Sequence, residues 1–241
     1  MGRLRDALAE DRLLLYAQPI ANAETGATLG HELLLRLRTP DGAIVRPGEF
    51  LPSAERYGLM TEIDTWVLRQ AVALAATGVP FAFNLSGASL ADPRVVDELR
   101  QAVQAVAVEP SSLVVEITEA ALLGSRSASR QALERIAAIG CRIAIDNFGT
   151  GYGGLTNAKQ FPIDMLKIDA EFVRDAATSE ESRSVVRAVV ALARGLGLTT
   201  VAEGVEDEEA LAAVRGCGVD LAQGYLVGRP APLDILTPPP A

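Results

Sequence analysis

The sequence predicts an α/β fold, a TIM-type (β/α)8 barrel with an antiparallel first strand, and three observations carry that prediction. Eight short apolar runs alternate with helical patterns along one chain of 241 residues, which favours a closed barrel over an open sheet. Apolar residues make up 49% of the chain but aromatics only 5%, so the core must be aliphatic, as barrel interiors usually are. Most runs end in a carboxylate or an amide, and barrels gather their functional side chains at the C-terminal strand ends.

The runs cover residues 13–20, 28–36, 80–85, 112–118, 142–146, 163–168, 198–203 and 219–225. Only residues 21–27, with Thr25-Gly26 among them, separate the first two. That is too short for the crossover that parallel neighbours need, so these runs should form an antiparallel hairpin. A turn near Thr25 then sets Gln18 opposite Glu32. Later, Ile63, Trp66, Val67, Ala71 and Leu74 form a helical stripe closed by Gly78. Asp92-Pro93 opens the next helix as cap and first residue, and Val96, Leu99, Val103 and Val106 follow at helical spacing. Val186, Val189, Ala193 and Leu196 form a third stripe ending at Gly197. We expect one domain over residues 1–241, with its core about 11–232 and a short Pro-rich tail at 238–240.

The net charge of −9 argues against DNA and anionic membranes as partners. It leaves room for a small anion held through bound cations. Cys141 and Cys217 follow no spacing pattern and read as buried apolar residues in a reducing compartment. The N-terminus lacks an apolar signal core and no run reaches membrane-spanning length, so a cytoplasmic setting is expected.

Polar residues interrupt or end the runs in a regular way. In order they are Glu32 and Arg36, Asn84, Glu116 with Glu119, and Asp146 with Asn147. Then come Asp164, Lys167 and Asp169, Glu203 with Glu206, and Gln223. A charge inside an apolar strand is costly unless it is paired or bound to metal. Five strands contribute carboxylates against two cations, Arg36 and Lys167, so simple ion pairing explains the pattern poorly. Hard oxygen donors of this kind suit Mg²⁺ or Mn²⁺ rather than zinc. The single histidine, His31, adjoins Glu32, and strand alternation turns it to the opposite face. Proton transfer must then fall to Glu, Asp, Lys or water. Residues 149–154 satisfy G-x-G-x-x-G, but Pro162 and a new strand follow where a dinucleotide fold needs a long helix. A nicotinamide site is therefore set aside.

Eight ordered segments carry a family resemblance. They are Tyr16-Ala17-Gln18-Pro19-Ile20, Glu32-Leu33-Leu34-Leu35-Arg36, Asn84-Leu85-Ser86 and Glu116-Ile117-Thr118-Glu119, then residues 146–152, 164–169, 202–206 and 223–225. Over nearly its whole length the chain resembles the EAL domain. The resemblance implies a barrel with one reversed strand near its start. It also implies hydrolysis of cyclic di-GMP to linear pGpG with Mg²⁺ or Mn²⁺, and inhibition by Ca²⁺. It makes Glu32, Asn84, Glu116 and Asp146 ligands of a first ion, with Asp146 and Asn147 serving a second. It makes Glu203 the base or water-orienting group and gives Lys167 a catalytic role beside it. Gln18, Arg36 and Gln223 would bind the dinucleotide, and Glu119 would anchor the loop after the fifth strand. A homodimer, and fusion to a sensory or GGDEF domain, are further implications.

Three positions depart from the family pattern. Leu33 replaces an alanine, one apolar residue for another. Asn147 replaces the second aspartate of a pair, removing one negative charge from the second-ion site. Gly153 and Gly154 stand where serines are usual and add backbone freedom. Two readings follow: a metal-dependent phosphodiesterase, or a catalytically weak module that binds cyclic di-GMP or a protein partner. The enzyme reading expects Glu32→Ala and Lys167→Ala to abolish hydrolysis while leaving the fold intact.

Overall fold

Runs rich in Leu, Val and Ile form the strands of this chain. The first two alternate between buried and partly exposed residues, and most later ones are buried on both faces, as parallel sheets require. In the computed structural model the described residues are 12–123, 126–149 and 160–233, with Arg5, Ala7, Leu8 and Glu10 before them. The strands are β1 (Leu13–Asn22), β2 (Thr28–Arg38), β3 (Ile44–Val45), β4 (Phe81–Asn84) and β5 (Leu113–Thr118), then β6 (Arg142–Phe148), β7 (Met165–Ile168), β8 (Thr199–Ala202), β9 (Leu221–Gln223) and β10 (Ala231–Pro232). Eight of them close a ring in the order β1-β2-β4-β5-β6-β7-β8-β9 and back to β1. Every neighbouring pair in the ring is parallel except those of β1, which runs antiparallel to both β2 and β9. The two-residue strands β3 and β10 lie against β2 and β1. The predicted barrel with its reversed first strand is the fold observed.

The hairpin shows why the first connection could be so short. Asn22 Oδ1 accepts from the backbone N–H groups of Glu24 and Thr25 at 3.0 and 2.9 Å, and Gly26 completes the turn with φ of 71°. The resulting register pairs Gln18 with Glu32. Boundaries moved by a few residues elsewhere. The run at 163–168 yields strand only from Met165, because Ile163 N–H is already committed to Phe161 O. The run at 219–225 yields only Leu221–Gln223, because Val219 N–H closes the preceding helix on Val214 O.

The helices outside the barrel are α1 (Pro47–Arg56), α2 (Met60–Ala75), α3 (Gly87–Leu90), α4 (Pro93–Val106), α5 (Arg126–Ile139), α6 (Ala170–Asp175), α7 (Glu180–Leu196) and α8 (Glu208–Cys217). Side-chain caps start several of them. Ser86, Asp92, Asp169, Ser179 and Asp207 each accept a backbone N–H of the first turn of α3, α4, α6, α7 and α8. Their apolar stripes pack on the outward faces of the strands to form the main core. A second, smaller layer fills the floor of the barrel with Ala82, Val114, Ala144, Met165, Val201 and Leu221. Among the described residues no helix is long and apolar enough to cross a membrane.

Two features aim side chains at the upper mouth. The pairing of β6 with β7 is irregular between Ile145 and Phe148, and Asn147 there has φ of 54°. Asparagine is among the few non-glycine residues that tolerate this left-handed region. At β9, Gly224 lies so close to the Val205 backbone that a Cβ would collide with it. Val205 N–H donates to Gln223 O at 3.0 Å, which seats Gln223 at the mouth. The segments at 150–159 and 234–241, with the expected Gly153-Gly154 loop and the Pro-rich tail, lie outside the described residues.

Candidate active site at the barrel mouth

Lys167, near the end of β7, is 1% exposed and stands at the centre of the site. Its Nζ lies 2.8 Å from Glu116, 2.8 Å from Glu203, 3.1 Å from Glu32 and 3.8 Å from Asp146. These carboxylates come from β2, β5 and β6 and from the residue just past β8. Amides complete the ring. Asn84 Nδ2, at the end of β4, donates to Glu32 Oε1 at 2.9 Å. Gln223 Nε2, at the end of β9, donates to Glu32 Oε2 at 2.6 Å.

One ammonium cannot balance four carboxylates, and the consequences differ by position. Burial pulls Lys167 down, but Glu116, Glu32, Glu203 and Asp146 outweigh it and hold the ammonium well above its usual range. Burial would raise Glu32, yet Lys167 and the Gln223 and Asn84 amides hold it below the ordinary carboxylate range. Glu116, by contrast, is pushed well above that range by burial and by the Glu32 charge, against the pull of Lys167. Burial also pushes Glu203 up to about 7, with Lys167 opposing and Asp146 and Glu32 adding to the rise. Surplus negative charge is the defining electrostatic property of this ring.

The remaining sequence-predicted residues surround it. Gln18 Nε2 donates to Gly228 O at 3.0 Å, and Gln18 Oε1 accepts from Gln223 Nε2 at 3.3 Å. Gln18 is therefore engaged with the chain on both ends of its amide. Arg36, further up β2, lies with its guanidinium 5.1 Å from the Tyr16 ring. Burial and the charge of Arg46 lower its pKa, which places two cations near each other beside an acidic ring. Asn147 is turned back on its neighbour: its backbone N–H and Nδ2 both donate to Asp146, at 2.9 and 3.2 Å. Glu119, in the short helical turn Glu119–Leu123 after β5, is 4% exposed.

Three carboxylates expected at the strand ends do not join the ring. Asp164 precedes β7 at the opposite, lower end, where Oδ2 accepts from Ile143 N–H at 2.8 Å. Asp169 caps α6 through Glu171 N–H at 2.7 Å. Glu206 pairs with Arg174 at 3.3 Å. β7 thus contributes a lysine to the ring instead of a carboxylate. His31 stays out of the ring as expected, its ring 6.0 Å from that of Phe81.

Sequence reading missed Asp64, on the barrel-facing side of α2 and 6% exposed. Asp64, Leu68, Ala71 and Ala75 repeat at spacings of 4, 3 and 4 and are all buried. A lone charge in such a stripe was the available signal. Asp64 Oδ2 accepts from Ser86 N–H at 2.9 Å, two residues beyond Asn84.

The donor set fits a hard divalent cation in chemistry and in charge. All ring donors other than Lys167 are carboxylate or amide oxygens, and Gln223 Oε1 is buried without a hydrogen-bond partner. As arranged, no three His, Cys, Asp or Glu side chains among the described residues form a ready cage. The carboxylates converge on Lys167 Nζ instead.

Known proteins place this arrangement in context. Residues 1–230 match the EAL domain pattern. The chain is 39% identical over 240 residues to the bifunctional diguanylate cyclase/cyclic di-GMP phosphodiesterase MucR of Pseudomonas aeruginosa, covering 97% of this chain and 35% of that protein. It is 36% identical over 239 residues to the cyclic di-GMP phosphodiesterase PdeF of Escherichia coli, covering 97% of this chain and 32% of that one. A solved structure of the PaMucR phosphodiesterase in complex with c-di-GMP superposes with a TM-score of 0.91 at 38% identity, covering 97% of this chain and 98% of its own. The chain spans about a third of the length of these two full-length relatives.

The geometry revises the expectation that Lys167→Ala leaves the fold intact. Removing the ammonium strands several buried carboxylates, and loss of one partner of a buried pair costs about 3–5 kcal/mol. The midpoint of denaturant unfolding without metal should fall accordingly; an unchanged midpoint would refute the counter-charge role. Glu203 gives a pH signature. Its folded pKa of about 7 exceeds the ordinary value of 4.5, so between those values the folded chain retains a proton that the unfolded chain has released. Stability in chelator should fall as pH rises across that window and level off above it. Thermal melts of Glu203→Gln should show a shallower decline, and identical slopes would count against the assignment.

Proposed function

The chain belongs to the EAL domain family, and on that premise we propose that it hydrolyses one phosphodiester bond of cyclic di-GMP. The product is linear pGpG, so the reaction lowers the level of this bacterial second messenger. The observation that carries the proposal is the surplus of ring carboxylates over the single ammonium of Lys167. A chain with no use for cations would bury apolar side chains there instead.

Glu32, Asn84, Glu116 and Asp146 would hold a first Mg²⁺ or Mn²⁺, and Asp146 with Asn147 a second. Bound ions of this kind supply a water of lowered pKa and offset charge on the phosphoryl oxygens. Glu203 is suited to hold or accept a proton from an attacking water, because its carboxyl sits near neutrality and lies at the open edge of the ring. Lys167 orients Glu203 and supplies positive charge beneath the phosphorus. Arg36, steadied over Tyr16 and with Arg46 close by, is suited to an anionic dinucleotide. Gln18 and Gln223 set the wall against which the ligand rests, Gln18 acting through Gly228 and Gln223. Glu119 would anchor the loop after β6, as the family resemblance implies. Function as a homodimer, fused to or regulated by a sensory or GGDEF domain, belongs to the same reading. The much greater length of the relatives supports the fused arrangement.

Asn147 favours a second reading, a weak enzyme acting as a cyclic di-GMP receptor. Its amide donates to Asp146 where a second aspartate would add a negative charge. That trades ion affinity at the second position for a locked Asp146.

Chromatography of cyclic di-GMP incubated with the protein and Mg²⁺ or Mn²⁺ separates the two. We expect pGpG; binding in Ca²⁺ with no product in Mg²⁺ or Mn²⁺ would establish the receptor instead. Asn147→Asp should raise the rate and lower the Mn²⁺ concentration needed for half-maximal turnover. No gain in either would remove Asn147 as the cause of slow turnover.

A further inference from the structure

The turn that carries Asn84 out of β4 is held from two sides. Leu85 N–H donates to Glu116 O on β5 at 2.8 Å. The next N–H, that of Ser86, donates to Asp64 Oδ2 on α2 at 2.9 Å. Ser86 Oγ in turn donates to Ser89 Oγ and accepts from Ser89 N–H, both at 3.2 Å, which starts α3 directly after the turn. Ser89 is fully buried and Asp64 nearly so. Joining a helix to a strand end needs only apolar contact, which Leu68 and Ala71 on the same face of α2 already supply. A buried carboxylate placed there is costly unless its hydrogen bonds are needed.

We infer that Asp64 is a positioning residue that fixes the Asn84–Ser86 turn and thereby keeps the Asn84 carboxamide in the carboxylate ring. The inference rests on the reading of Asn84 as an ion ligand. Asn84 is exposed and sits at a strand end. Its side chain therefore depends on the backbone beneath it, and among the described residues its anchoring contact in the ring is Glu32 Oε1. Groups behind a ligand that fix its direction alter affinity as well as rate.

Mn²⁺ binding, followed by the electron paramagnetic resonance signal of the free ion, gives a readout independent of turnover. Asp64→Ala should weaken Mn²⁺ binding by about 10–100-fold. Asp64→Asn, which keeps an oxygen to accept from Ser86 N–H, should recover most of it. Asp164→Ala is the control, since Asp164 makes the same kind of bond to Ile143 N–H at the barrel floor. It should lower the melting temperature and leave Mn²⁺ affinity unchanged. If Asp64→Ala does not fold, Ser89→Ala takes its place and should weaken binding by a smaller factor. Wild-type affinity in Asp64→Ala or, in its place, Ser89→Ala would overturn the inference, as would an equal loss in Asp164→Ala. Absence of Mn²⁺ binding by the wild type would overturn the ion reading itself, and this inference with it.

Discussion

The contact of Lys167 with the ring carboxylates is the constraint on which the site depends. Its ammonium, itself buried, lies within 4 Å of four acidic groups, where charges are screened far less than at a surface. The arrangement is stable only because the charge is unevenly distributed. Glu32 takes up Lys167, Asn84 and Gln223 and remains ionised, while Glu116 and Glu203 are driven toward their protonated forms. A single cation thus holds together an assembly that is still short of positive charge. That shortage makes the ring receptive to a cation without requiring one for the barrel to close.

Local backbone devices translate the barrel into this geometry. The hairpin capped by Asn22 sets the Gln18–Glu32 register. The irregularity at Ile145–Phe148 turns Asp146 toward the lysine and leaves Asn147 in a left-handed conformation. The bond from Ser86 to Asp64 secures the exit from β4. Each places one polar side chain at the end of a strand, where a barrel can vary its chemistry while its core stays unchanged.

Much of this was legible in one sequence. Repeated apolar runs with helical stripes between them can be satisfied by few folds, so the strand count and the reversed first strand emerged directly. Glu32, Glu116 and Asp146 stood out because a carboxylate within an apolar strand has few inexpensive explanations. Asp164, Asp169 and Glu206 looked equivalent by the same criterion and are not. Asp164 serves the barrel floor and the other two a helix cap and a surface pair. Asp64 was overlooked because a helical stripe is read for its apolar members, and its partner lies 22 residues away in sequence.

By itself, then, the sequence determined the closed barrel, the Gln18–Glu32 pairing and the identity of most polar groups at the strand ends. These follow from periodicity, turn length and the cost of burying charge, all of which act over a few neighbouring residues. Only the tertiary structure decided which end of a strand each carboxylate occupies, that four of them share one lysine, and that Asn147 spends its amide on Asp146. Those outcomes depend on distances between residues far apart in the chain, set when the ring of strands closes and brings eight separate ends to one mouth.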